Sequence, residues 1–265
     1  MAIFGFIGTG NMGSALARAA AQSLPGEEIL LSNRTHAKAE ALAQELGCKA
    51  ASLEESVKNS QFLFLGAKPQ GFQALLTQLA PILPEGKILV SMAAGISMGE
   101  ICRMLGRDYP VIRIMPNTPV SVGSGVILYD ATRDVTAEAL EVFCAGLEKA
   151  GLLDRLEEKL MDAGTAVAGC GPAFACLFLE ALADGGVVCG LPRDKALRYA
   201  AHMLEGTARL LLETGKHPGV LKDAVCSPGG STIAGVQALE EKGFRNAAIS
   251  AIDAAYRRTQ ELGKA

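Results

Sequence analysis

The chain has 265 residues, of which 49% are apolar and 20% are charged, and its formal net charge is −3 at pH 7. This length is enough for one large or two medium domains with hydrophobic cores. The weak negative charge offers no electrostatic attraction to nucleic acid or to an anionic membrane, so we expect neither partner.

Cysteine and histidine usage bears on location and on metal binding. The seven cysteines form no Cys-x-x-Cys pair, which is typical of reduced thiols in the cytoplasm, and three scattered histidines predict no metal site. The first strand pattern follows Met1 directly and leaves no room for a targeting peptide. The most apolar stretch, 163–179, is interrupted by glycine and proline, so we predict a buried helix rather than a membrane span.

The first motif is a glycine-rich turn between a strand pattern and a helix pattern. Residues 2–7 read as a buried strand, and Gly-Thr-Gly-Asn-Met-Gly follows at once. Gly8 permits the tight turn, Gly10 admits a pyrophosphate to the helix start, and Gly13 allows close packing of helix and strand. We therefore predict a dinucleotide site that contacts Ile7, Gly8, Thr9, Gly10, Asn11, Met12 and Gly13.

The end of the second strand pattern, 28–32, indicates which dinucleotide binds. An NAD site usually offers a carboxylate here, but this chain has Asn33 and Arg34. The guanidinium of Arg34 matches the oxygens of a 2′-phosphate, which predicts NADPH, with NADH possible. The acidic pair 27–28 lies where this strand begins rather than where it ends, so it should point away from the ribose. The alternative is that Arg34 is a solvated charge and Thr35 caps the next helix.

Strand and helix patterns alternate up to about residue 155. Further strands are predicted at 62–65, 87–92, 110–115, 125–129 and 151–155. Capping boxes that start at Ser52 and Ser97 mark two of the helices between them. This alternation predicts an α/β fold with a Rossmann-like, doubly wound and mostly parallel sheet.

Three of these strands end in loops that we expect to face the cofactor, because ligands bind outside the carboxyl ends of parallel strands. The residues predicted to contact the cofactor there are Ala67, Lys68, Pro69, Ala94 and Asn117. Lys68 would place a cation near the ribose, phosphate or nicotinamide, and its alternative is a surface lysine with Pro69 starting the next helix. The loop 115–119 contains two prolines and would form a rigid wall beside the nicotinamide.

After residue 156 the strand patterns stop. Helices are predicted at 157–191, 192–214, 218–225, 231–242 and 244–262. We therefore divide the chain into a dinucleotide-binding domain, 1–156, and a helical domain for dimerisation and substrate binding, 157–265. Helices rich in alanine and glycine pack closely, so we expect a homo-oligomer built through the second domain.

A second motif, Ser-Pro-Gly-Gly-Ser-Thr at 227–232, leads into the fourth of these helices. Its proline ends the preceding helix, its glycines let main-chain N–H groups approach a ligand, and its hydroxyls lie where the helix dipole is positive. This pattern predicts a site for a small carboxylate. The alternative is an ordinary N-capped turn.

With both motifs, the chain resembles pyrroline-5-carboxylate reductases. The segments that carry the resemblance are 5–16, 67–69, 115–119, 169–174 and 223–245. The resemblance implies NAD(P)H-dependent reduction of 1-pyrroline-5-carboxylate to L-proline, the last step of proline biosynthesis. It also implies a homodimer whose active sites combine one subunit's nucleotide domain with the partner's helices, and decamers in many members. The chain departs from the family at Cys170, where serine is usual.

The resemblance also suggests the residues that meet the substrate, which are Glu158, Ser227, Gly230, Ser231 and Thr232. A protonated cyclic imine is already electrophilic, so the protein needs mainly to hold it against the nicotinamide. We expect main-chain N–H groups of 230–232 to bind the carboxylate, and the Thr232 hydroxyl, the predicted catalytic group, to contact the ring nitrogen. Glu158 would act electrostatically near the ammonium. The alternatives are a capping role for Thr232 and a solvated Glu158.

Two other functions compete with this interpretation. A 3-hydroxyacid dehydrogenase needs a base, commonly a lysine on the first helix of the second domain, but Arg193 is the only lysine or arginine between Lys159 and Lys195. A non-catalytic NADP-binding regulator would keep the first glycine turn and have no use for the loop 227–232.

Overall fold

The structure, a computed structural model, describes residues 2–67 and 69–262. Its internal contacts divide the chain into two compact units, one made of residues up to 170 together with those from 255 on, the other of Gly171–Ala254. This division falls later than the predicted boundary because residues 158–170 pack on the sheet of the first unit. The functional division at residue 156 stays a prediction.

The first unit is built on an eight-stranded sheet with the order β3-β2-β1-β4-β5-β6-β7-β8. The strands are β1 Ala2–Ile7, β2 Ile29–Ser32, β3 Lys49–Ala50, β4 Ser60–Leu65, β5 Ile88–Ser91, β6 Val111–Pro116, β7 Gly125–Ala131 and β8 Gly151–Arg155. Among the strands of the described residues, β6 and β7 pair in antiparallel fashion, and the other neighbouring strands are parallel. The predicted fold class and all the predicted strands are confirmed. The sequence did not reveal β3, because two residues are too few to show alternation.

Helices cover both faces of this sheet. They are α1 Asn11–Ala20, α2 His36–Leu46, α3 Leu53–Asn59, α4 Pro69–Leu79, α5 Met98–Leu105, α6 Ala137–Gly146 and α7 Met161–Gly164. Both predicted capping boxes form. The Ser52 hydroxyl accepts the N–H of Glu55, whose carboxylate accepts the N–H of Ser52, and the same exchange joins Ser97 to Glu100. These caps fix where α3 and α5 begin.

The two faces of the central strands form two separate cores. Phe4, Phe6, Phe62 and Phe64 point to one face, where the rings of Phe6 and Phe64 stack with centroids 4.4 Å apart. Alternate residues of the same strands, such as Leu63, point to the other face and are fully buried there. A slip by one residue would exchange the two cores, so this packing fixes the register that aligns the carboxyl ends of β1 and β4.

The second unit is helical and contains α8 Gly171–Val188, α9 Arg193–Thr214, α10 Pro218–Ala224, α11 Ser231–Glu241 and the first part of α12 Phe244–Leu262. Helices α8 and α9 pack closely because Gly186 has no side chain. A Cβ added at Gly186 would lie 3.1 Å from Cβ of Ala196. Arg193 pairs with Asp184 across the turn that joins the two helices.

The predicted helical segment over 157–191 is helical along 158–188, but its geometry is not uniform. A short 3-10 turn, Glu158–Leu160, and α7 are followed by a π-helical segment, Thr165–Gly169, before α8 begins. The N–H of Cys170 donates to the carbonyl of Thr165 at 2.9 Å, five residues back. Glycine-containing sequence with a low helix propensity permits this widened turn, and such turns are frequent at functional sites.

The apolar helix predicted to be buried is largely exposed in the single chain. Residues 158–188 form a helix that is long and apolar enough to cross a membrane. An 18-residue window within it has a mean hydropathy of 1.7, and 11% of that window is buried. This is weak evidence for a span, because helices of globular proteins meet the same measure. Leu177 and Val188 are 68% and 88% exposed, and large apolar side chains left open on a helix indicate an interaction surface.

Candidate functional site

The glycine turn lies at the carboxyl end of β1, where the strand order reverses between β2 and β4. Gly8 has φ +99°, a conformation that favours glycine, and a Cβ on Gly13 would lie 2.3 Å from the Gly8 carbonyl oxygen. Gly10 is exposed, and no atom of the described residues lies within 4 Å of the position of its Cβ. Gly8 and Gly13 therefore have the turn and packing roles that the spacing predicts, and the approach of a pyrophosphate at Gly10 stays a prediction.

A fourth glycine completes this turn and was missed by the sequence analysis. Gly66 follows β4, and its N–H donates to the carbonyl of Ile7 at 2.8 Å. A Cβ on Gly66 would stand 2.3 Å from the Gly8 carbonyl oxygen. The signal was present as a glycine directly after a strand, but only the pairing of β1 with β4 shows what it must approach.

Polar contacts hold the end of β2 against the same turn. The side-chain amide of Asn33 donates to the Thr9 hydroxyl at 2.6 Å, and its oxygen accepts the N–H of Thr35 at 3.1 Å. Arg34 lies between these anchors and is exposed. Thr35 is the N-cap residue of α2, as the alternative expects, but its side chain makes no capping hydrogen bond. The role of Arg34 at a 2′-phosphate stays a prediction. The acidic pair 27–28 lies at the opposite end of β2.

The loops after β4, β5 and β6 reach the same edge of the sheet, because these strands run parallel to β1. Ala67 and Ala94 are half-buried there. Lys68 lies outside the described residues, and so does the side chain of Pro69, which begins α4. The sequence thus placed these three loops correctly, and the predicted contacts with the cofactor stay predictions.

Asn117 connects two segments of the first unit. Its side chain is buried, its amide nitrogen donates to the carbonyl of Ala168 at 3.0 Å, and its oxygen accepts the N–H of Val126 at 2.8 Å. The side chain therefore ties the loop after β6 to the π-helical segment. The predicted contact of Asn117 with the cofactor stays a prediction.

A charged cluster around Arg113 of β6 was not predicted. Arg113, in the middle of β6, is 5% exposed in its side chain and pairs with the carboxylates of Glu158 at 3.4 Å and Asp162 at 3.2 Å. The Glu158 carboxylate also accepts the N–H of Met98 at 2.7 Å, and the Glu158 N–H donates to Asp130 at 2.7 Å. The only sequence signal was one arginine within an apolar strand.

The charge of Arg113 also reaches the first turn of α5. Burial acts to raise the pKa of Glu100, but hydrogen bonds from the N–H and hydroxyl of Ser97 and the positive charges of Arg103 and Arg113 lower this pKa below its usual value. Glu100 thus stays ionised at the start of α5, where the helix dipole favours a negative charge.

The loop 227–232 lies in the second unit and leads into α11. Gly229 has φ +70°, and the N–H of Gly230 donates to the carbonyl of Ser227 at 3.0 Å. A Cβ on Gly230 would lie 2.4 Å from the Ser227 hydroxyl oxygen, so glycine keeps this turn tight. Gly230 is the N-cap of α11 and has no side chain that could accept a hydrogen bond from the first N–H groups of this helix. The capping alternative for Thr232, which is exposed, is therefore not formed.

This fold and glycine turn define a dinucleotide-binding oxidoreductase with a helical second domain. Residues 3–95 match the family "NADP oxidoreductase coenzyme F420-dependent", and residues 158–262 match "Pyrroline-5-carboxylate reductase dimerisation". The chain is 40% identical to pyrroline-5-carboxylate reductase of Arabidopsis thaliana over 263 residues, covering 98% of this chain and 95% of that protein. It is 38% identical to the Escherichia coli enzyme, with 98% of each chain covered.

A solved structure agrees over the same length. The Plasmodium falciparum pyrroline carboxylate reductase with NADP bound superposes with a TM-score of 0.89 at 29% identity, covering 99% of this chain and 98% of that one. The chain belongs to the pyrroline-5-carboxylate reductase family, which confirms the resemblance given by its motifs.

Proposed function

We propose that this chain reduces 1-pyrroline-5-carboxylate to L-proline with NADPH as the preferred cofactor and NADH as a possible second one. The uncapped start of α11 is the observation that carries the substrate assignment. Within the described residues, no N-cap side chain accepts the first N–H groups of this helix, and these groups form the positive end of the helix dipole, which favours a carboxylate. The identity of 38–40% to named reductases over nearly the whole chain supports the reaction. Neither alternative function has comparable support.

The cofactor site is proposed at the glycine turn. The pyrophosphate of the cofactor would lie on the open side of Gly10, and the main-chain N–H groups that begin α1 would bind it. Arg34 would bind the 2′-phosphate, and Ala67, Lys68, Pro69 and Ala94 would line the nicotinamide side. Bound NADPH supplies the hydride. The protein's part is to hold that donor and the ring carbon of the imine in contact.

The substrate site is proposed at the loop before α11. The N–H of Gly230 donates to the carbonyl of Ser227. The N–H groups of Ser231 and Thr232 therefore remain for the carboxylate, two groups instead of the three expected from the sequence. The Thr232 hydroxyl oxygen would accept the N–H of the protonated imine and hold the nitrogen as it becomes an amine. The expected electrostatic role of Glu158 is replaced by the positioning role argued below, because its carboxylate is already engaged.

Replacement of Thr232 tests this assignment. Thr232→Ala should lower kcat/KM for pyrroline-5-carboxylate by about tenfold, since one oriented hydrogen bond contributes roughly 1.5 kcal/mol. Thr232→Ser should recover most of the activity. Thr77→Ala removes a threonine on the exposed face of α4 and serves as the matched control.

The assay follows NADPH absorbance after pyrroline-5-carboxylate is added. Turnover that is unchanged in Thr232→Ala would remove its role. No oxidation by the unmodified protein, together with tight NADPH binding in calorimetry, would favour the non-catalytic regulator.

We also propose that the chain acts in the cytoplasm as a homo-oligomer. The dimerisation family matched by residues 158–262 supports association, and the exposed apolar side chains of α8 supply a surface for it. A dimer is the expected unit, with a decamer as the larger assembly. Sedimentation of the purified protein distinguishes the two.

A further inference from the structure

We infer that Glu158 is a positioning residue for hydride transfer, which fixes the start of α5 and thereby the loop 92–97 that carries Ala94. The inference rests on the proposed function, in which this loop lies beside the nicotinamide. Glu158 touches neither cofactor nor substrate in this account. It acts through the main chain of Met98.

The first step is the contact between Glu158 and α5. The Glu158 carboxylate accepts the N–H of Met98 at 2.7 Å, and Met98 is the first residue of the helix. The N–H of Glu100 is already taken by the Ser97 hydroxyl. Glu158 therefore satisfies a further N–H that the helix itself leaves without a partner, and its negative charge meets the positive end of the helix dipole.

The second step is that Glu158 cannot readily leave this position. Its carboxylate also pairs with the buried Arg113 at 3.4 Å, and its own N–H donates to Asp130 at 2.7 Å. Arg113 is held in turn by Asp162 at 3.2 Å. Because partly buried ion pairs are screened less than exposed ones, this arrangement holds the carboxylate on Met98 more firmly than a surface glutamate would be held.

The third step leads to the cofactor side. The loop 92–97 joins the end of β5 to the start of α5, so Glu158 restrains one end of the loop and the sheet restrains the other. Ala94 in this loop packs against the cluster of Met115, Leu128 and Met161. A small displacement of such a loop would change the distance between hydride donor and imine carbon, to which the rate is very sensitive.

The test compares Glu158→Ala and Glu158→Gln with Glu157→Ala. Glutamine keeps an acceptor for the Met98 N–H but loses the charge that faces Arg113, whereas alanine loses both. Glu157 is the matched control, because its side chain is 70% exposed and pairs with the exposed Lys159. We expect kcat to fall about tenfold in Glu158→Ala and about threefold in Glu158→Gln, with KM for NADPH changed less than about twofold, and no change in Glu157→Ala.

The decisive readout is the primary isotope effect measured with NADPH that carries deuterium at the transferred position. A positioning role predicts a larger isotope effect on kcat in Glu158→Ala, because hydride transfer becomes more rate-limiting. An unchanged isotope effect, with a loss of kcat that matches a loss of folded protein, would overturn the inference. So would a rise in KM for pyrroline-5-carboxylate alone, which would indicate direct substrate contact. If the unmodified enzyme does not oxidise NADPH with this substrate, the proposed function fails instead.

Discussion

Gly10→Ala should separate cofactor binding from folding. Gly10 has φ −75° and ψ −171°, which alanine adopts without strain, and none of the residues that the structure describes has an atom within 4 Å of the added methyl group. In the free protein, alanine here restricts the unfolded chain, which favours folding by about 0.4–1 kcal/mol. Because Gly10 is the N-cap of α1, where alanine is less favourable than glycine, the free energy of unfolding should change little.

The same methyl group should obstruct NADPH. It would project where the pyrophosphate must approach the N–H groups that begin α1. Loss of one hydrogen bond to a charged group costs about 1.5–3 kcal/mol, which raises the Kd for NADPH by roughly 10- to 150-fold. The substitution should thus weaken NADPH binding in a protein that is about as stable as before.

Gly13→Ala is the matched comparison. Its methyl group would stand 2.3 Å from the Gly8 carbonyl oxygen, whereas a Cβ atom does not approach another heavy atom to less than 3.0 Å. The glycine turn and α1 must therefore separate by at least 3.0 − 2.3 = 0.7 Å. Both stability and NADPH affinity should fall. Urea unfolding of the free proteins and calorimetric titration with NADPH give the two quantities. Unaltered NADPH affinity in Gly10→Ala would refute the placement of the pyrophosphate.

Two further predictions concern cofactor choice and pH. Arg34→Ala should raise KM for NADPH by roughly tenfold and leave KM for NADH nearly unchanged, because only NADPH has the 2′-phosphate that the guanidinium would bind. Equal changes of the two KM values in initial-rate assays would contradict this role. Burial raises the pKa of Tyr109 from 10.0 to about 12, since the phenolate is disfavoured in the core. Its contribution to stability is therefore complete below pH 10 and is lost as pH rises towards 12, by about 2–3 kcal/mol in all. Tyr109→Phe, which also removes a hydrogen bond to the carbonyl of Pro84, should show a shallower decline in urea unfolding measured between pH 9 and 11, and an identical decline would exclude Tyr109 as its source.

Some features followed from local chemistry and could be predicted from the sequence. The glycine turn, the strands of the sheet and both capping boxes depend on residues close together in the chain, and the structure confirms them. The loops after β4, β5 and β6 were placed at one edge because parallel strands end together. Membership in the reductase family rested on the same local motifs.

Other features depend on contacts between distant segments. The role of Gly66 follows from pairing of β1 with β4, and the engagement of Asn117 follows from packing of residues 165–169 against β6. Glu158 looked like a solvated or substrate-facing glutamate, but Arg113 and Met98, 45 and 60 residues away, hold its carboxylate.

The sequence by itself therefore determined the order of the elements, the two glycine motifs and the family, because helix caps, strand alternation and tight turns are set by neighbours in the chain. Only the tertiary structure decided which polar groups are satisfied internally and which are left for ligands. The physical reason is that a buried carboxylate or amide takes whatever partner the fold brings near it, and spacing along the chain does not encode that partner.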